Sequence, residues 1–119
     1  MAPDERELPY MRLWVPDLLA DDLVQELDLE EFGAYMRLLC IAWRRGHIPA
    51  DPKRRAKLLG ISAARERAIW ELLGSKWVAN GNGGLVNRRQ ERERDWALNQ
   101  SASASKAANA RWSREREAA

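Results

Sequence analysis

The stretch Leu27-Asp28-Leu29-Glu30-Glu31-Phe32-Gly33-Ala34-Tyr35 constrains the 119-residue chain more than any other, because it can be little except the start of a helix. Asp28 is spaced to accept from the amide of Glu31, and the Glu31 carboxylate to accept from the amide of Asp28. This is a capping box with aspartate in the Ser/Thr place. Leu27 and Phe32 flank the cap at the spacing of a hydrophobic staple. Gly33 inside the helix costs about 1 kcal/mol against alanine, so it reads as a point where another backbone or a bulky ring approaches closely. The helix is expected to run to Arg45. There Arg44 and Arg45 suit the negative end of the dipole and Gly46 stops the chain. Phe32, Tyr35, Leu38, Leu39, Ala42 and Trp43 recur at helical spacing and form its expected buried face. Cys40, in the same apolar helix, reads as core.

Before this helix, Tyr10 to Val15 reads as a short strand ended by Pro16, and Asp17 to Glu26 as one short helix with Leu18, Leu19, Leu23 and Val24 on its apolar side. After it, Asp51-Pro52 is a cap with proline at the first helical position, opening a helix that ends at Gly60. Ser62 caps a third helix, Ala63 to about Leu73. Ile69, Leu72 and Leu73 face inward on a helical wheel, while Ala63, Ala64, Arg67 and Glu71 face outward. Helix, glycine turn and helix is the order of a helix-turn-helix. Lys76 to Ala79, the turn-rich Asn80 to Gly84, and Leu85 to Arg88 then read as a β-hairpin. Two strands are marginal alone, and Tyr10 to Val15 is the candidate third strand.

The expected fold is therefore mainly α with a small antiparallel sheet, a winged helix-turn-helix over residues 10–88. A loose arm (1–9) precedes it, and a helical, partly frayed tail (89–119) follows. The serines at 101, 103 and 105 weaken that tail, which is expected to dock through Trp96 and Leu98. Trp14, Trp43 and Trp77 fall in elements where core or sheet packing is expected.

Charge carries the functional reading. Residues 1–50 hold five Lys/Arg against ten Asp/Glu, whereas residues 51–119 hold fifteen against eight. An acidic front and a basic back point to a polyanionic partner. No apolar run approaches the ~20 residues of a membrane helix, and the acidic N-terminus is unlike a signal peptide. One cysteine and one histidine exclude an intramolecular disulfide and a zinc centre. His47 reads as a loop histidine, Gly81 to Gly84 as a turn, and Asp21, Asp22 and Glu26 as solvated helix positions. No enzyme, metal or cofactor is expected.

Lys53, Arg54 and Lys57 on the second helix, Arg67 on the third, and Arg88 and Arg89 at the base of the hairpin are the candidate DNA contacts, with Asn80 and Asn82 at its tip. The outward face of the third helix is poor in base-reading side chains, so binding with weak sequence preference is expected. The competing reading is a protein-interaction module that recruits or modulates replication or transcription machinery without touching DNA. Its anchors would be Trp70 and Trp112, the latter also able to join copies of the chain through the tail. Trp96 and Trp112 are sixteen residues apart, roughly 24 Å and 160° on a continuous helix.

The segments Glu31-Phe32-Gly33-Ala34-Tyr35, Ile48-Pro49 and the Trp77 to Arg88 hairpin resemble the YdaU-like family of phage and prophage proteins, in the same order of elements over about residues 9–112. So does the alanine-rich basic segment Lys106 to Trp112. The resemblance implies a small nucleic-acid-associated module acting near replication genes, in the cytoplasm of a bacterial host. This chain departs from the family at Arg55, where an apolar residue is usual. Arg55 must therefore snorkel, pair with a carboxylate or face a partner.

Overall fold

The computed structural model describes residues 8–118. In chain order the elements are α1 (Val15–Ala20), α2 (Asp22–Glu26), α3 (Leu29–Arg45), β1 (Ile48–Pro49), α4 (Pro52–Leu59), α5 (Ala63–Leu73), β2 (Val78–Ala79), β3 (Gly84–Val86) and α6 (Arg88–Ala118). The fold is mainly helical with a three-stranded antiparallel sheet ordered β1-β3-β2 and a long C-terminal helix. This order of helices and strands is compatible with a winged helix. Most of the 1–9 arm lies outside the described residues. Leu8 itself is buried, and its carbonyl accepts from Trp43 Nε1 at 3.1 Å.

Three caps form as their residue types require. Asp28 accepts from the Glu31 amide at 2.7 Å and Glu31 from the Asp28 amide at 2.9 Å, completing the capping box of α3. Asp51 caps α4 and Ser62 caps α5. Gly46 ends α3 in the left-handed conformation, at φ +88°, which glycine adopts without a Cβ penalty. From α3, Tyr35, Leu38, Leu39, Ala42 and Trp43 are buried, with Phe32 partly so. Together with Ile48, Leu59, Ile69, Leu73 and Trp77 they make up most of the core.

Several expectations are corrected. Tyr10 to Val15 is not a strand. The third strand is Ile48–Pro49, whose Ile48 is fully buried and pairs with Leu85. Its proline is tolerated because the strand lies at the sheet edge. Pro16 opens a helix rather than closing a strand, at a position where a missing N–H is harmless. The expected Asp17 to Glu26 helix is two helices. Asp21 is extended, and its carboxylate accepts from the Leu23 and Val24 amides, which restarts the helix. Cys40 is exposed, since it sits roughly 140° around α3 from Tyr35. Leu72 is 38% exposed, and the buried positions of α5 are Glu66, Ile69 and Leu73. Trp14 is half-exposed rather than packed in core or sheet. Arg88 belongs to α6, not to the hairpin, because the Asn87 side chain accepts from the Gln90 amide and starts the helix there.

Gly33 is corrected too. A Cβ built on it meets nothing within 4 Å, so no backbone or ring approaches it. Gly33→Ala is therefore expected to raise stability by about 1 kcal/mol, through helix propensity and a less mobile unfolded chain. A rise in the urea midpoint at constant slope would show it, and an unchanged or lower midpoint would refute it.

Candidate nucleic-acid interface

Three elements converge on one groove. The C-terminus of α3 contributes Arg45, β1 and its turn contribute His47, Pro49 and Ala50, and α4 contributes Arg54, Lys57 and Leu58. The fourth wall is the tip of the β2–β3 hairpin, Asn82 and Gly83. The groove encloses about 470 Å³. Local sequence dictates this convergence. The left-handed Gly46 turns the chain into β1, and Asp51-Pro52 starts α4 two residues after β1 ends. The hairpin tip is tied down by its own turn chemistry. The Asn80 carboxamide oxygen accepts from the Asn82 and Gly84 amides, and the Ala50 amide donates to the Gly83 carbonyl at 3.4 Å. His47 lies over Gly84, where an added Cβ would come within 2.7 Å of the imidazole ring.

The charge in this groove is available. Arg45, Arg54 and Lys57 are exposed and enter no ion pair among the described residues; Asp51 also lines the groove, its carboxylate accepting from the Lys53 amide as the α4 cap, so three cations face one anion there. Three exposed cationic side chains lining one open groove can hold phosphates.

Arg55 sits behind the groove wall. It is 2% exposed, and its Nε donates to Glu66, equally buried, at 2.9 Å. Its Nη1 donates to the carbonyls of Pro49 at 3.2 Å and Ala50 at 2.7 Å, and its guanidinium lies 3.8 Å from the centre of the Trp70 ring. One residue thus joins α4, α5 and the groove-lining end of β1. Of the three outcomes open to Arg55, pairing with a carboxylate is the one realised.

Arg54, Lys57 and Asn82, expected as DNA contacts, come together in this groove. Lys53 is exposed on α4 and Asn80 shapes the turn, but neither lines the groove. Arg67 is exposed on α5 and does not line it either. Arg88 is exposed at the start of α6, while Arg89 pairs with Asp17 of α1. The base of the hairpin is thus apart from the groove. Trp70 is half-buried beneath Arg55 and against Gly74, and Trp112 is 63% exposed. Sequence reasoning missed Arg45 and His47. Their signal was position: they flank the glycine that aims β1.

The underside of α6 is fixed by side chains reaching α3. Gln90 Nε2 donates to the Leu39 carbonyl at 2.6 Å and Arg94 Nε to the Trp43 carbonyl at 3.0 Å, so residues four apart on one helix reach carbonyls four apart on the other. Arg12 donates to Glu93 at 2.8 Å and lies 3.3 Å from the centre of the Trp96 ring, and Trp14 Nε1 also donates to Glu93. Burial pushes the Glu93 carboxyl up, but these hydrogen bonds together hold it below its ordinary value. The Lys76 ammonium beside Asp21 likewise holds that carboxyl down, and burial pushes the Tyr35 phenol up. No helix among the described residues is long and apolar enough to cross a membrane.

Comparison with known proteins gives a family. Residues 9–95 match the family described as protein of unknown function (DUF1376), a shorter span than the 9–112 expected. The uncharacterized protein YdaU of Escherichia coli (strain K12) is 36% identical over 78 residues, covering 60% of this chain and 26% of that protein. The chain thus spans about a quarter of the length of this curated relative. No solved structure matches it. Because the matched span takes in α1 to β3 and the docked start of α6, the chain belongs to the DUF1376 family, in keeping with its resemblance to YdaU-like proteins.

Proposed function

We propose that this chain is a small winged-helix module that binds duplex DNA by its phosphates, through the groove between α4 and the hairpin tip. The observation that carries the reading is the convergence of Arg45, Arg54 and Lys57 with Asn82 on one open groove, none of the three cations being spent on an ion pair among the described residues. Phosphate contacts position a protein without reading sequence. The exposed face of α5 offers only Arg67 as a base reader beside Ala63, Ala64 and Glu71, so the binding is weakly sequence-dependent. On the resemblance alone, the proposal extends to a role in initiating or regulating phage or prophage replication in a bacterial cytoplasm.

Fluorescence anisotropy with two 20-bp duplexes of unrelated sequence tests this. The full chain is expected to bind both, and Arg54→Ala/Lys57→Ala to weaken both to a similar degree. Binding by that variant equal to the parent's would overturn the assignment. No duplex binding by the parent at any salt would leave the protein-interaction reading in its place.

A further inference from the structure

The distal half of α6 leaves the body of the protein. From Ala102 to Arg116 every residue is exposed. Helices in proteins draw most of their stability from packing, and this exposed continuation of α6 has little of it, so it gains from a partner. Two kinds of partner make different demands. A helix or groove of another protein needs apolar anchors recurring at i, i+3, i+4 and i+7. Between Ser103 and Arg116 the only apolar side chain larger than alanine is Trp112. Alanines bury little area, and a lone tryptophan is not a stripe. The charges point elsewhere. Lys106, Arg111, Arg114 and Arg116 stand against Glu115 and Glu117, and those from Lys106 to Arg116 are exposed. They are spread around the helix rather than gathered on one face, which suits a flexible polyanion better than a rigid duplex.

A projecting cationic element combined with an exposed aromatic platform is the combination that holds single-stranded nucleic acid, the bases stacking on the ring while cations follow the backbone. We infer that the projecting half of α6 binds single-stranded DNA through Trp112 and Arg116, one turn further along the same face, with Arg111 about 100° around the helix. The full molecule then grips a duplex in its groove and an adjoining single strand on its helix, as at a duplex–single-strand junction. This junction preference rests on the duplex reading above, but the helix has its own test.

The experiment titrates the full chain with fluorescent (dT)20 and, separately, with a 20-bp duplex. The parent is expected to bind (dT)20. Trp112→Ala is expected to weaken that binding about tenfold, since base–aromatic stacking is removed, with duplex binding and the thermal melt unchanged. Arg111→Ala/Arg116→Ala is expected to lower the salt slope for (dT)20 by roughly 0.7 for each phosphate no longer neutralised. Arg54→Ala/Lys57→Ala is expected to act the other way, weakening the duplex and sparing (dT)20. No (dT)20 binding by the parent, or parental (dT)20 binding by Trp112→Ala, would overturn the inference. So would a dimer-to-monomer change on Trp112→Ala in sedimentation, which would make the helix a contact between copies. A parent that binds (dT)20 but no duplex would sink the groove and still support the helix as the single-strand element.

Discussion

Glu66→Ala is expected to destabilise the fold by about 3–5 kcal/mol, because it leaves the Arg55 guanidinium charged and uncompensated where only 2% of the residue meets solvent. The loss belongs to the unpaired charge and not to the attraction removed. Replacing both partners together, Arg55→Met with Glu66→Leu, is accordingly expected to recover part of it, since it removes the stranded charge but leaves the Pro49 and Ala50 carbonyls without their Arg55 donor. Urea denaturation of the parent and the two variants decides this. A loss below about 1 kcal/mol for Glu66→Ala, or a double variant no better than the single, would show that the pair is not buried and coupled as described. The groove should register the same change. Arg55 also holds the Pro49 and Ala50 carbonyls, so a loosened Arg55 loosens the wall on which Arg54 and Lys57 are displayed.

Two neighbouring leucines on α5 should behave oppositely. Leu73→Ala is expected to destabilise by about 2–5 kcal/mol, since Leu73 has no exposure and its removal leaves a cavity in the core. Leu72→Ala is expected to change stability by no more than about 0.5 kcal/mol, as for a surface position. Equal losses for the two, or a larger loss at Leu72, would mean that α5 is rotated about its axis relative to the structure described.

That pair shows where sequence reading succeeded and where it stopped. Caps are local, so Asp28, Asp51 and Ser62 announced three helix starts correctly. The face of a helix is local only when its period is clean. On α5 the wheel grouped Ile69, Leu72 and Leu73, but the third buried position is Glu66, a charged residue whose burial depends on an arginine eleven positions earlier. Nothing within α5 signals that partner. Arg55 on α4 stood out as a charge in a place where the resemblance expects an apolar residue, but pairing with a carboxylate was one of three outcomes open to it, and nothing in the sequence pointed to Glu66 as the partner. Gly33 taught the reverse lesson. Its place inside a helix singled it out, and the tertiary structure gives it no neighbour at all.

The candidate site was half legible for the same reason. Basic residues on α4 and a polar turn in the hairpin could be read directly. Their meeting could not be read, because it depends on β1, two residues long and too short for any period to reveal. With Tyr10 to Val15 assigned as the third strand, the hairpin had no reason to lean on α4. Once Ile48 pairs with Leu85, the tip comes to the start of α4 and Arg45 and His47 join the groove. The same pairing leaves Arg88 and Arg89 on the far helix, where Arg89 finds Asp17 instead.

The groove's role in binding duplex DNA is tested most directly by the dependence of affinity on salt. For the full chain, log affinity for a 20-bp duplex is plotted against log salt between about 50 and 200 mM, with two variants beside it. Arg45→Ala/Arg54→Ala/Lys57→Ala removes three groove cations, and Arg67→Ala/Arg88→Ala/Arg92→Ala removes three cations outside the groove. The groove variant is expected to lower the slope by roughly 0.9 for each phosphate no longer neutralised, about 2.7 in all, while the second variant keeps the parental slope. A parental slope for the groove variant, or the larger drop in the other, would contradict the groove as the place where this protein holds DNA.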